Sequence, residues 1–166
     1  MTKFYHGTDI ESLLKIAKSK AILSPLYQKM EMLRDATRGK SEQEIRKRLH
    51  GKTIEQYALE SVSEEYGSHE IESRVRAVSF AGSLKRALHY AERFEQHSGG
   101  AVLELELSEE DINSAFKEGK TPVLYTPRKQ VLEDRLKAIY LLLCARASEP
   151  EIRQAFSKFK PEYGYL

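Results

Sequence analysis

Lys3-Phe4-Tyr5-His6-Gly7-Thr8 runs directly into Asp9-Ile10-Glu11-Ser12-Leu13-Leu14, and this junction decides how the chain reads. The first residues form a short apolar, extended segment. A helix follows. Thr8 has the hydroxyl of an N-cap, and Glu11 stands three residues on, the spacing of a capping box. Ile10, Leu13, Leu14 and Ala17 repeat at the helical period, so one face is buried. Ala21-Ile22-Leu23 then reads as a short strand closed by Ser24-Pro25.

From about residue 28 to residue 73 the character changes to charged helices, read as an insertion on a mixed core. Gly39-Lys40-Ser41 and His50-Gly51-Lys52-Thr53 separate them, and Ser41 with Glu44 makes a second capping box. The third helix carries Ile54, Tyr57, Ala58 and Val62 at helical spacing. Arg76–Phe80 reads as a strand, and Ser83 caps an amphipathic helix running to Phe94. Ala101–Leu107 alternates leucine with glutamate, the pattern of a half-buried strand with Glu104 and Glu106 facing out. Ser108 caps a short helix holding Ile112 and Phe116. Thr121–Tyr125, Gln130–Leu132 and Ala138–Leu143 read as strands. The last is nearly all apolar and therefore central, and Cys144 is read as lying inside an apolar strand as an inert buried thiol. Glu149-Pro150 starts a final helix with Ile152, Ala155, Phe156 and Phe159. Helices and strands in irregular order define an α+β domain spanning 1–166.

The chain has 166 residues, 40% hydrophobic and 31% charged, which is a globular composition and excludes a fibrous or disordered chain. With one cysteine, no internal disulfide forms. The five histidines fit no metal-ligand spacing, so no metal is expected. No apolar run reaches the ~20 residues of a membrane span, and no signal-peptide core is visible, so a cytoplasmic location is expected. A net charge of +2 does not by itself imply a nucleic-acid partner. Locally, Lys and Arg crowd residues 29–52, a surface fit for phosphates or a solvated helix face balanced by acids.

Three places carry residues suited to chemistry. In Tyr5-His6-Gly7-Thr8 an imidazole sits beside a glycine, whose bare backbone admits a flat ligand; a turn glycine beside a structural histidine reads the same way. In Val78-Ser79-Phe80-Ala81, followed by Tyr90, a small hydroxyl and aromatic rings line a strand end; ordinary core packing is the alternative. In Arg128–Arg135, Gln130 and Glu133 stand among cations, where a carboxylate would stabilise a developing positive centre on a sugar; a solvated turn is the alternative.

In this order the pieces resemble the ADP-ribosyltransferase superfamily. Phe4-Tyr5-His6-Gly7-Thr8 with its helix and Ala21–Pro25 is similar to the family's opening. Ala77–Ala81 with Ala87 and Tyr90-Ala91 is similar to its second motif. Gln130–Leu132 followed by Ala138–Leu143 stands where the third, glutamate-bearing motif belongs. The resemblance covers about 100 residues and leaves out the insertion and last helix. It implies a split, mostly antiparallel sheet with flanking helices. It implies NAD as substrate, cleavage of the nicotinamide–ribose bond, and transfer of ADP-ribose to a protein or nucleic-acid acceptor. It implies that His6 bonds the adenosine-side ribose and the Gly7 backbone holds the nicotinamide carboxamide. Thr8 and Ser79 border the cofactor, and Phe80 or Tyr90 stacks on the nicotinamide ring. The chain departs from the family twice. Ser79 stands where the poly-ADP-ribose polymerase branch has tyrosine, and Gln130 stands at the usual glutamate, with Glu133 three residues later as the catalytic carboxylate. Arg34 or Arg38 is the candidate for a pyrophosphate contact. A related expectation is an NAD- or ADP-ribose-binding module that has lost catalysis. RNA 2′-phosphotransferases share the fold but match these residues less.

Overall fold

The computed structural model describes residues 2–66, 75–115, 123–127 and 130–166. Phe116, Thr121, Pro122, Arg128, Lys129 and the 67–74 end of the insertion lie outside the described residues. The chain divides into two compact units, one of Met1–Ile22, Ser79–Thr126 and Gln130–Leu166, the other of Leu23–Val78 with Pro127–Lys129.

Most of the first unit's residues in strands belong to a six-stranded sheet. Its strands are β1 (Thr2–Asp9), β3 (Ala77–Ala81), β4 (Gly100–Leu107), β5 (Val123–Pro127), β7 (Leu136–Leu141) and β8 (Glu162–Tyr165), in the order β5-β3-β1-β4-β7-β8. A separate ladder pairs β2 (Ala21–Ile22) with β6 (Gln130–Val131). β1 lies antiparallel to β4 from Thr2 opposite Leu107 to Asp9 opposite Gly100. That long ladder holds Thr8 extended and buried, so the helix starts one residue later than its sequence signals suggest. Asp9, not Thr8, caps α1 (Ile10–Ser19), its Oδ1 accepting from the Ser12 amide at 2.8 Å. Ile10, Leu13, Ile16 and Ala17 form the buried face of α1.

β4 is not half-buried. Leu103, Leu105 and Leu107 are fully buried, each contributing about 1.5–3 kcal/mol, and Glu104 is 5% exposed. The alternation is real, but β1 and β7 pair on both edges and side chains cover both faces. Glu104 accepts a hydrogen bond from the Tyr140 hydroxyl at 2.8 Å and an ion pair from Lys3 at 3.0 Å. α5 (Leu84–Ala91) packs on this sheet through Ala87 and Ala91, which with Ala81, Val102 and Leu142 form one apolar cluster.

β7 is second from the edge rather than central, because β8 pairs beside it in parallel, with Ala138 opposite Glu162. β8 has no marked apolar pattern. Gly164 passes under the Tyr140 ring, where a Cβ would stand 2.5 Å from Cδ1, and Arg153 lies 4.1 Å from the centre of the Tyr163 ring. β7 ends at Leu141, so Cys144 falls in a turn of 3-10 helix, Cys144–Ser148, and is exposed. The buried-thiol expectation is thereby corrected. α6 (Glu109–Asn113) begins with a reciprocal box between Ser108 and Asp111, and α7 (Glu149–Ala155) buries Ile152.

The second unit holds α2 (Pro25–Ala36), α3 (Glu42–Arg48) and α4 (Ile54–Tyr66). α2 begins at Pro25, earlier than residue 28, because Ser24 caps it and proline loses nothing at the first helical position. Leu26 and Met30 of α2 pack on Ala58 of α4. α3, capped by Ser41, buries no residue. No described helix is long and apolar enough to cross a membrane.

Candidate functional site

His6 lies at the junction of β1 and β3. Tyr5 stands opposite Ala81, and past that pair the His6 imidazole links the strands: Nδ1 donates to the Ser79 carbonyl at 2.8 Å. A carbonyl only accepts, so Nδ1 carries the proton and Nε2 keeps its lone pair. Burial pulls the imidazole pKa below its ordinary value, while the Ser79 carbonyl partly restores it. The ring is therefore neutral at pH 7, with an acceptor at Nε2. Its edge meets the Phe80 ring at 5.9 Å between centres.

Several expectations about the neighbours change. Phe80 is 1% exposed and belongs to the core, so it offers no face for a ligand to stack on. Ser79 engages His6 through its carbonyl, and its side chain is exposed. Thr8 is buried. The space beside Gly7 is not open on its side-chain side. A Cβ there would stand 2.5 Å from the Ala87 carbonyl oxygen and 3.1 Å from the Tyr90 Cβ. Glycine at 7 thus lets α5 seat on β1. Tyr90, next to Gly7, remains 38% exposed, with the Arg93 guanidinium 5.1 Å from its ring centre.

The third motif is divided. Gln130 is 4% exposed; its Oε1 accepts from Arg135 Nη1 at 2.8 Å. Arg135 Nη2 reaches Asp111 at 3.1 Å, and Asp111 also accepts from the Ser108 amide and hydroxyl. Gln130 is thus tied through Arg135 to the start of α6. Glu133 stands exposed in the turn between β6 and β7, which is closed by the Arg135 amide on the Leu132 carbonyl at 2.7 Å. The structure brings His6, Gly7, Ser79 and Tyr90 together; Gln130 lies on β6 and Glu133 in the turn that follows it.

Sequence reading missed two polar centres. Glu104 is one, and with burial it pushes the Tyr140 phenol up to about 12. The other is Glu95, whose two oxygens accept from the Gly100 amide at 2.9 Å and the Cys144 amide at 3.0 Å. Burial raises its pKa, but these bonds outweigh it and the carboxyl titrates below its usual range. Glu95 in turn raises the Cys144 thiol, which is a weak nucleophile. No single-sequence signal marks either centre, because both are assembled by strand register and loop closure. Arg34 pairs with Glu31 within α2, and Arg38, in the turn after α2, pairs with Asp35, each at 2.9 Å. Among the described residues, no group of His, Cys, Asp or Glu side chains is placed to hold a metal.

No protein-family model matches this chain, and no curated protein matches it.

Proposed function

We propose that the chain binds NAD at the His6 edge of β1 and is an ADP-ribosyltransferase acting on a protein or nucleic-acid acceptor. The observation that carries this reading is the fixed His6 tautomer: a neutral ring with a free Nε2 lone pair accepts from a ribose hydroxyl. The exposed Tyr90 ring beside Gly7 supplies the surface for the nicotinamide. NAD, when bound, supplies a labile bond between nicotinamide and ribose. Glu133 is the carboxylate assigned to stabilise positive charge at the ribose carbon as that bond breaks. The glycosidic electron pair leaves with nicotinamide, and the acceptor's nucleophile takes its place.

One observation favours a second reading, an NAD- or ADP-ribose-binding module without cleavage. Gln130, at the position where the resemblance expects a glutamate, is a buried amide held by Arg135.

The test is calorimetric titration with NAD beside quantified nicotinamide release, for the native chain, His6→Ala and Glu133→Ala. Binding lost in His6→Ala and release lost in Glu133→Ala is the expected result. Binding without release establishes the second reading. Absence of NAD binding by a folded native chain overturns both.

A further inference from the structure

The outward face of α5 is a run of cations without acids to neutralise them. Lys85, Arg86 and His89 of α5 and Arg93 just beyond it are all exposed, and the helix itself contains no Asp or Glu. Among the described residues, no carboxylate pairs with Lys85, Arg86 or Arg93. His89 stands 4.0 Å from Glu92, the residue that follows the last turn of α5. In the basic stretch of residues 29–52, Arg34, Arg38 and Arg46 each pair with an acid three or four residues away, and Lys52 pairs with Glu60. Lys85, Arg86 and Arg93 thus stand on one short stretch of the first unit with no carboxylate paired to any of them among the described residues. Helical geometry spaces Arg86 and Arg93 about 10 Å along the axis, within the reach of two neighbouring phosphates.

We infer that this face of α5 docks a nucleic-acid strand through its phosphates. The position gives the inference its meaning. Arg93 cups the ring of Tyr90, and Tyr90 lies against Gly7, one residue from His6. A polyanion on α5 is held at the edge of the candidate NAD site, on the side of the nicotinamide surface. Any acceptor of ADP-ribose has to reach the ribose carbon that nicotinamide leaves, and a strand held at this edge of the site is brought near it. Naming nucleic acid as the acceptor class rests on the proposed NAD chemistry, whereas the docking itself rests on charge alone.

The experiment measures binding of a fluorescent single-stranded oligonucleotide to the native chain by anisotropy, with no NAD present, across a salt series. About three phosphate contacts predict a slope of log affinity against log salt near −2. Arg86→Ala and Arg93→Ala are each expected to weaken binding several-fold for every sequence tried and to flatten the slope by about 0.7. Lys158→Ala, which removes an exposed charge beyond α7, is expected to leave binding unchanged; circular dichroism confirms that all variants fold. Three outcomes overturn the inference: no salt-dependent binding, loss of binding in Lys47→Ala/Arg48→Ala instead of the α5 variants, or equally tight binding of polyglutamate or anionic vesicles. Because NAD is absent, failure here leaves nicotinamide release untouched. A chain that docks the strand but neither binds nor cleaves NAD keeps the surface and loses the acceptor assignment.

Discussion

Adding one methyl group to Gly7 tests whether α5 is seated on β1. In Gly7→Ala the new carbon falls 2.5 Å from the Ala87 carbonyl oxygen and 3.2 Å from the Ala91 amide nitrogen, both backbone atoms of a helix. A carbon–oxygen contact needs at least about 3 Å, so α5 must retreat by roughly half an ångström, with its whole backbone rather than one side chain. Ala87, Ala91 and Val102 then lose contact in the apolar cluster. Overpacking of this kind costs about 1–3 kcal/mol. For a chain of this length a loss of about 2 kcal/mol lowers Tm by roughly 4–8 °C. Gly82→Ala is the internal control, since nothing lies within 4 Å of its Cβ. It is expected to be neutral or to stabilise by up to about 1 kcal/mol through the unfolded chain. Urea and thermal unfolding of both variants decide the matter. A Gly7→Ala protein as stable as Gly82→Ala refutes the seating of α5, and with it the placement of Tyr90.

Further outcomes follow from the polar centres. Tyr140→Phe removes one of the two donors to buried Glu104 and is expected to cost about 1.5–3 kcal/mol by urea unfolding. The phenol pKa is raised in the fold, so its share of stability is complete below about pH 10 and lost as pH rises towards 12; a native chain that loses no more stability over that range than Tyr140→Phe contradicts this. His6 is shifted the other way. Its share is complete above the ordinary imidazole pKa and declines as pH falls towards the lower folded value, and nitrogen NMR is expected to find the proton on Nδ1; a proton on Nε2 refutes the site geometry. Arg135→Ala strips Gln130 and Asp111 of a shared donor and is expected to destabilise by about 1–3 kcal/mol, with Arg135→Lys failing to restore both bonds. Glu95→Gln is expected to lower the Cys144 thiol pKa, seen as faster alkylation near pH 8, and an unchanged rate refutes the contact.

Much of the secondary structure was legible because its signals are local. Ser41 and Ser83 cap helices where their spacing places them, and the positive φ of His50 and Gly51 falls at the expected break. Periodicity identified α1, α4 and α5 as amphipathic and β4 as a strand. The errors begin where a second segment takes part. Thr8 lost the cap to Asp9 because β4 keeps β1 extended as far as Asp9. β8 went unseen because a parallel edge strand of Glu-Tyr-Gly-Tyr needs β7 and two arginines to hold it.

The candidate site divides along the same line. The sequence by itself determined that His6, Gly7, Ser79 and Tyr90 stand on a strand, a second strand and the helix after it, since composition and period act over a few residues. Only the tertiary structure decided that the Ser79 carbonyl sets the His6 tautomer, that Phe80 is core while Tyr90 is exposed, and that Gln130 is bound by Arg135. Which atoms meet depends on strand register and helix seating. Those are set by burying the sheet as a whole, and a single change in register would exchange the buried and exposed faces of every strand.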